Sequence, residues 1–357
     1  MKKPLLILAA SGMLLLSCKK QGCTDPVATN YNQYAEQDDG SCNYPTYENQ
    51  LHNIIDNDFV LTNDKIWYLN GRTTVTNGAI LTIEPGTIIK GVGGSGANAS
   101  CLIISRGSKI HAVGTPTQPI IFTSEADDIQ LGELQGNTLT EATNGLWGGV
   151  LICGQAPISA DNESMQIEGI PASDQDGLYG GNIETDDSGI LEYISIRHGG
   201  ANIGAGNEIN GLTLGGVGSN TIVNNIEIVA NQDDGIELFG GNVNVSNILV
   251  WSIGDDCVDI DQGYNGSITN VTIIPSHITD HIMEIDGGEG IWNLPFSMTN
   301  CHIIAETSEA HFRDGAEGNI TYFGSVNFEA DTNTNVIVNE LFDQPSLDFG
   351  WTYYYNR

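Results

Sequence analysis

NIEIVANQDDGIELFGG (residues 225–241), NILVWSIGDDCVDIDQG (247–263) and NVTIIPSHITDHIMEIDGG (270–288) repeat one pattern three times. Their apolar positions recur at a regular interval, so that Leu238 is followed by Ile260 and then by Ile285. An interval of about 22–25 residues is typical of one coil of a β-solenoid. The repeat therefore predicts coils that stack along an axis.

When the three repeats are aligned in this register, acidic residues occupy the same positions in successive coils. The aligned positions are Asp233, Asp255 and Asp280; Asp234 and Asp256; and Glu237, Asp259 and Glu284. Stacked strands lie about 4.8 Å apart, so the repeat predicts a ladder of carboxylates. Alternation along each strand predicts that Glu237, Asp259 and Glu284 point outward and that the Asp pairs occupy the preceding turn. Such a ladder must face outward, share protons or bind cations, because burying so many charges is costly.

Hard oxygen ligands at this spacing suit Ca²⁺. The sequence-based candidate ligands are Asp233, Asp234, Glu237, Asp255, Asp256 and Asp259. A fourth, weaker coil aligns on Asn300, with Thr307, Ser308 and His311 at the acidic positions, so the predicted ladder ends there.

Asparagines also recur once per coil, immediately before each predicted strand. They are Asn225, Asn247, Asn270 and Asn300. Side-chain amides at such positions can satisfy turn carbonyls and amides by hydrogen bonds. We therefore expect an inward asparagine ladder with a structural role.

The chain of 357 residues has 12 basic and 45 acidic residues, a formal net charge of −33. Phosphate recognition needs a basic surface, so this balance argues against nucleic acid as a partner. Two explanations of the acidity stay open, which are solubility and the binding of divalent cations.

From residue 66 the sequence consists of short β-rich runs separated by Gly, Asn and Asp, without long helical periodicity. This favours an all-β fold, a right-handed parallel β-helix with about 22–25 residues per coil, over a sandwich with hairpin spacing. We predict a linker and N-terminal cap at 45–65, the β-helix at 66–335 and a C-terminal cap at 336–357. Polar insertions at about 124–144 and 167–187 are expected to wall a binding groove.

Residues 1–17 contain two Lys and an apolar run of signal-peptide length. With the Leu-Leu-Ser-Cys that ends at Cys18, they resemble a bacterial lipoprotein signal, in which that cysteine is lipidated after cleavage. The resemblance implies a tether at 18–21 and an outer membrane lipoprotein held by its lipid anchor.

Residues 22–44, GCTDPVATNYNQYAEQDDGSCNY, resemble a small module common in exported bacterial proteins. So short a segment cannot bury a core and needs a staple, which a Cys23–Cys42 disulfide would supply. Its acids Asp25, Asp38 and Asp39 could hold one Ca²⁺ or serve only as turn formers. The later cysteines lie in apolar runs and are expected to be free core thiols; they are Cys101, Cys153, Cys257 and Cys301.

The phrases LTIEPGTIIKG, GLWGGVLICGQAPI, INGLTLGGVGSNT and DDGIELFGG resemble exported β-helix proteins of Bacteroidetes-type bacteria and the wider pectin-lyase-like group, and the resemblance spans about residues 81–288. The resemblance implies the fold and an envelope location. That wider group contains both enzymes and adhesins, so it leaves catalysis open.

An enzymatic hypothesis comes from similarity to polygalacturonase-type glycoside hydrolases. Asp234, Asp255 and Asp256 match their three acidic positions, and His281 lies in register with Asp256. In inverting members one carboxylic acid protonates the leaving oxygen while a carboxylate activates water. The Gly-His-Gly and Arg-x-Lys motifs of that group are missing, however. A polysaccharide lyase is less favoured, since it needs a basic residue near the sugar and no Lys follows Lys109.

The favoured hypothesis is a rigid, monomeric scaffold on the cell envelope. Its acidic, calcium-loaded face would contact a polysaccharide or a surface protein, and catalysis is not needed to explain the ladder.

Overall fold

The computed structural model describes residues 19–24, 28–43, 46–168, 170–171, 173–203, 208–289, 295–344 and 352–353. They form two compact units, divided between Tyr47 and Glu48. The predicted signal peptide and the lipidation site Cys18 lie outside the described residues.

The N-terminal unit has the expected staple. Cys23 and Cys42 form a disulfide with Cα atoms 4.8 Å apart, which confirms the predicted pairing. The chain between them is held by polar contacts, since the Asn30 side chain donates to the Ser41 carbonyl and accepts from the Asn43 N–H. With so little apolar surface, the covalent bridge and these bonds hold the unit together.

The second unit is a stack of coils whose strands form two long parallel sheets. The first, sheet A, has ten strands, one from each coil: β1 Ile54–Ile55, β4 Arg72–Val75, β7 Cys101–Ile104, β10 Val150–Cys153, β14 Leu212–Gly215, β16 Ile236–Phe239, β18 Val258–Asp261, β20 Met283–Asp286, β22 Glu309–Arg313 and β24 Asn327–Ala330.

The second sheet, sheet B, has thirteen strands. Ten form its main path: β2 Phe59–Leu61, β5 Ile80–Ile83, β8 Lys109–Val113, β13 Gly189–Arg197, β15 Ile222–Val229, β17 Asn244–Trp251, β19 Ser267–Ile274, β21 Phe296–Ile303, β23 Glu317–Phe323 and β25 Asn335–Glu340. Three more form a side branch, β3 Ile66–Leu69, β6 Ile88–Gly91 and β9 Ile120–Ser124.

The first three coils each contribute three strands to the two long sheets, and the later coils each contribute two. The change occurs at β13, which pairs with β8 through its first half and with β9 through its second half. Between the halves, Tyr193 has φ 53°, so a left-handed residue bends the long strand. The next long strands bend at asparagine, a residue type that tolerates this conformation: Asn225, Asn247, Asn270 and Asn300.

The predicted position of these asparagines, before the strands and pointing inward, is wrong. They lie within the strands, outside the apolar core, and their side chains hydrogen-bond from coil to coil. Asn270 donates to Asn247 at 3.0 Å and Asn300 donates to Asn270 at 3.1 Å. The left-handed bend turns each side chain away from the core, and so the asparagine ladder is structural.

Neighbouring coils are in the expected register. Glu237 pairs with Asp259 on the next coil, and Asp259 pairs with Glu284 on the coil after that. Every second side chain of these strands enters one continuous core, including Ile236, Val258 and Ile285. Together the sheets, the register and the core confirm the predicted parallel β-helix.

The second insertion, predicted at 167–187, is a cover rather than the wall of an open groove. Between β10 and β13 it includes two short antiparallel strands, β11 Met165–Gln166 and β12 Leu178–Tyr179, and a 3-10 turn, Gln175–Gly177. It packs on the outer face of sheet A in an apolar cluster that includes Ile103, Leu151, Ile167, Ile170 and Tyr179. A Cβ at Gly215 would stand 2.8 Å from the Tyr179 ring, so glycine permits this close contact.

The first insertion, between β9 and β10, also covers a sheet. The buried Lys90 ammonium donates to the Asp127 carbonyl at 2.6 Å, and Arg197 donates to the Leu134 carbonyl at 2.7 Å. Both insertions therefore cover outer faces of the coils. The backbone carbonyls of the first accept hydrogen bonds from Lys90 and Arg197, and the apolar side chains of the second pack on sheet A. A second short 3-10 turn, Gly96–Asn98, lies between β6 and β7.

The ends of the β-helix differ from the predicted boundaries. Regular coils begin at Ile54, inside the predicted linker and cap, and β25 continues the stack to Glu340, inside the predicted C-terminal cap. Of the last residues, Tyr353 lies against the side of the coils, where its N–H donates to Glu227 at 3.0 Å. No helix in the described part of the chain is long and apolar enough to cross a bilayer.

Candidate functional site

The predicted acids come together on sheet A and on the turns that precede its strands. We call β16, β18 and β20 the acidic rungs. Glu237, Asp259 and Glu284 lie side by side on these strands, as the register predicted. The Asp pairs 233–234 and 255–256 lie in the preceding turns.

Two turn aspartates have a structural role that links the coils. The Asp234 carboxylate accepts a hydrogen bond from the Asp256 N–H at 3.0 Å. One coil later, the Asp256 carboxylate accepts from the His281 N–H at 2.8 Å. Each of these side chains therefore satisfies a backbone donor of the next rung, which fixes its position in the turn.

Of the three arrangements that the sequence left open, exposure to solvent does not apply to three of the acids. Asp234, Glu237 and Asp256 are only 7%, 5% and 3% exposed. They lie outside the apolar core, but neighbouring polar groups cover them. Asn210 donates to the Glu237 carboxylate, and Asn231 donates to the Asp234 carbonyl at 2.8 Å. Strand alternation correctly predicted that Glu237 points away from the core, but it did not predict that neighbouring polar side chains cover it.

Burial raises the pKa of these carboxyls. The pKa values of Asp233 and Asp256 rise to about 7, chiefly through burial and then through the charges of Asp255 and Glu284, respectively. The pKa of Glu237 is held well above its usual range by burial and by the neighbouring Asp259. At neutral pH this arrangement favours bound protons or a bound cation over free carboxylates.

The acids form groups whose oxygens are close enough to share an ion. Asp233, Asp234 and Asp255 form one group, and Asp234, Glu237 and Asp259 form a second; within each, one ligand atom per residue lies within 4.8 Å of the others. Asp234 belongs to both groups. We call these five residues the carboxylate site.

Two residues that sequence reasoning missed stand beside this site. The amide oxygens of Asn210 and Asn231 are buried and have no hydrogen-bond partner among the described residues. An amide oxygen is a good ligand for a hard cation. Asn231 could have been noticed, since it lies just before the Asp pair, whereas nothing in the spacing of Asn210 indicated its contact with Glu237.

Asp256, a predicted calcium ligand, belongs to a different group. Its ligand atoms lie near those of His281 and Glu284, and the His281 Nδ1 is 3.0 Å from the Asp256 carboxylate. Burial lowers the pKa of His281, but the nearby carboxylates, Asp256 first among them, raise it by more, so the net shift is upward. His281 was predicted only from its register with Asp256.

The acids of the N-terminal module have local partners. Asp38 accepts from the Gly40 N–H at 2.9 Å and Asp39 accepts from the Ser41 N–H at 3.0 Å. These contacts are those of turn-forming aspartates. Asp25, the third predicted ligand there, lies outside the described residues. Calcium in this module stays a prediction.

One pair of the hydrolase candidates, Asp234 and Asp255, does not match the geometry of an inverting pair. Oxygens of Asp234 and Asp255 fall within one group of 4.8 Å, whereas inverting glycosidases hold their carboxyls about 6.5–9.5 Å apart around a water. Asp234 and Asp256 are also buried, so Asp255 is the one of the three that a sugar in solution could reach. A tight, covered cluster favours a metal or a structural role.

Comparison with known proteins identifies a family for the coils. Residues 53–335 match the family described as the pectate-lyase-like β-helix domain, whereas no curated protein and no solved structure matches. The match covers nearly the whole run of coils and supports a carbohydrate-related role at most. The chain belongs to the pectate-lyase-like β-helix domain family.

Proposed function

We propose that the carboxylate site binds Ca²⁺ and that the protein is a carbohydrate-binding β-helix whose acidic face depends on that ion. One observation carries the proposal. Five carboxylates converge in two overlapping groups, and among the described residues none of the five forms an ion pair with a Lys or an Arg.

A bound cation would stabilise this cluster of carboxylates better than shared protons. The raised pKa values mean that, without a cation, several of these groups must stay protonated near pH 7. A divalent ion neutralises two charges at once and uses oxygens that already lie close together. Carboxylate and amide oxygens are hard ligands that suit Ca²⁺ rather than a thiophilic metal.

The test is a calorimetric titration of the calcium-stripped chain with Ca²⁺. We expect binding at the carboxylate site in the natural protein and its loss in Asp234→Asn. This variant removes a charge shared by both groups, while its amide oxygen can still accept the hydrogen bond of the Asp256 N–H. Glu306→Gln is the matched control, because Glu306 is exposed and lies outside the groups. Equal calcium binding by all three proteins would contradict the proposal.

Carbohydrate binding is the second part of the proposal, supported by the family. A calcium ion on an acidic face can bridge to acidic glycans, which the bare face would repel. We expect acidic polysaccharides on an array to retain the protein in Ca²⁺ and to release it in chelator or after Asp234→Asn. Retention that ignores both changes would contradict this part. Release of new reducing ends, abolished by Asp256→Asn, would instead support the hydrolase hypothesis.

We also propose that the protein is an envelope lipoprotein anchored through Cys18, a proposal supported by the sequence before that residue. Expression with an alkyne-labelled fatty acid should label the natural chain and leave Cys18→Ser unlabelled. Equal labelling of both would contradict the anchor.

A further inference from the structure

A second cluster adjoins the carboxylate site and differs from it in chemistry. It consists of Asp256, His281, Glu284 and His311, which lie on three successive coils. His311 on β22 pairs in register with Glu284 on β20. The cluster therefore combines two carboxylates with two imidazoles, whereas the carboxylate site contains only oxygen ligands.

The side chains stand close to one another. His281 Nδ1 lies 3.0 Å from an Asp256 oxygen, and His311 Nδ1 lies 3.9 Å from a Glu284 oxygen. The two imidazole rings have centroids 5.7 Å apart. Around a tetrahedral ion with metal–ligand distances of about 2.1 Å, ligand atoms lie about 3.4 Å apart. One ligand atom each of Asp256, His281 and Glu284 lies within 4.8 Å of the others, and the His311 imidazole, next to Glu284, would have to rotate toward them to complete the shell.

Contacts with Arg313 hold one carboxylate of the cluster in place, and the two imidazoles are partly exposed to solvent. Arg313 holds the Glu284 carboxylate by an ion pair, and its Nε lies 2.9 Å from the Asp286 carboxylate. Such outer contacts fix the direction of a ligand carboxylate. The side chains of His281 and His311 are 19% and 29% exposed, which gives an ion from solvent a path to the cluster.

We propose that Asp256, His281, Glu284 and His311 form a separate site for a divalent first-row transition metal ion such as Zn²⁺. Imidazole with carboxylate suits these ions, whereas Ca²⁺ prefers six to eight oxygens. The site does not depend on the calcium proposal, because it uses none of the five residues of the carboxylate site.

The probe is Co²⁺, whose visible absorption reports nitrogen ligands and a low coordination number. We expect the full chain, stripped of metal, to bind one Co²⁺ with a visible band that Zn²⁺ abolishes and Ca²⁺ leaves intact. Losing an outer-shell partner of a metal typically weakens binding about 10–100-fold, so losing a ligand in His281→Gln or His311→Gln should weaken it about 100-fold or more. His277→Gln is the matched control, an exposed histidine of the same loop.

The outcomes separate this site from the calcium site. Asp234→Asn should keep the Co²⁺ band while it loses calcium binding. An unchanged band in both His281→Gln and His311→Gln, or a spectrum in excess Co²⁺ that stays that of the hydrated ion, would overturn the inference. Displacement of Co²⁺ by an equal concentration of Ca²⁺ would also overturn it. If His281→Gln does not fold, the more exposed His311→Gln decides.

Discussion

Sheet A presents two different outer faces on one backbone. On β7, β10 and β14, which we call the apolar rungs, the outward side chains pack under the second insertion; they include Ile103, Leu151 and Cys153. On the acidic rungs the outward positions hold carboxylates, Glu237, Asp259, Asp261, Glu284 and Asp286, except for Phe239 at the end of β16, which still packs against Tyr179 of the insertion. The inward side chains of both sets are aliphatic and share one core.

The two faces show which side chains the β-helix needs and which it leaves free to vary. Both sets of rungs have the same parallel pairing, so the β-helix requires the inward residues and leaves the outward residues free. The apolar face is explained by the insertion that covers it. Apart from Glu284 and Asp286, which pair with Arg313, the carboxylates of the acidic face have no such explanation, because burying a carboxylate destabilises the protein unless a cation or a proton neutralises its charge.

The largest expected effect comes from placing an acid on the apolar rungs. Leu151 is 1% exposed under the insertion, so Leu151→Asp would bury a carboxylate without a partner. We expect the free energy of unfolding to fall by about 4 kcal/mol or more, measured by urea denaturation. Leu151→Met is the matched control and should cost less than about 1.5 kcal/mol. A similar small cost for the aspartate would mean that the two faces are equivalent.

The reverse exchange should have a smaller effect of opposite sign. In chelator, Asp259→Leu removes one of the crowded carboxylates and adds apolar surface, and we expect it to stabilise the protein by about 1–3 kcal/mol. In Ca²⁺ the natural protein should regain or exceed this stability, while the variant should not respond. Destabilisation of the variant in chelator would show that Asp259 is held by partners other than a cation.

A pH profile tests the same crowding. Without calcium, the pKa values of Asp233 and Asp256 are raised from 3.8 to about 7 by burial. Between these values the folded state holds protons that the unfolded state has released, so stability falls as pH rises toward and through about 7. We expect the melting temperature in chelator to be several degrees lower at pH 8 than at pH 5.5.

The Asp256→Asn variant should flatten that profile, and Asp331→Asn, an exposed acid in a turn, should not. A melting temperature that increases over this range, in the natural protein without calcium, would be incompatible with carboxyls whose pKa is raised.

The smallest effect concerns the asparagine ladder that spans the same coils. Asn247→Gly keeps a residue that tolerates φ 55° but removes hydrogen bonds to Asn224 and from Asn270. We expect a loss of about 1 kcal/mol in urea unfolding, equal with and without Ca²⁺. A loss that depends on calcium would mean that this ladder and the carboxylate site are coupled.

Most of the fold could be predicted from the spacing of the apolar residues. The interval between Leu238 and Ile260 indicated the coil, the register and the side of the strand on which Glu237 and Asp259 lie. The Cys23–Cys42 disulfide could also be predicted, because so small a module needs one. These features follow from local periodicity and from the size of the unit.

The cover of the site could not be predicted. Asn210 contacts Glu237 from the preceding coil, and the second insertion folds back onto strands that precede and follow it. Such contacts depend on where a loop packs in the folded protein, and neither strand alternation nor the turn residues predict that position. The burial of Asp234 and Asp256 was missed for a related reason, because each carboxylate turns toward the next coil and accepts a backbone hydrogen bond there.

A crystal structure of the protein grown in Ca²⁺ tests the central claim most directly. We predict an ion among Asp233, Asp234, Glu237, Asp255 and Asp259, with oxygens at about 2.3–2.6 Å. Paired carboxyl oxygens that share protons, with no ion between them at saturating Ca²⁺, would contradict the account.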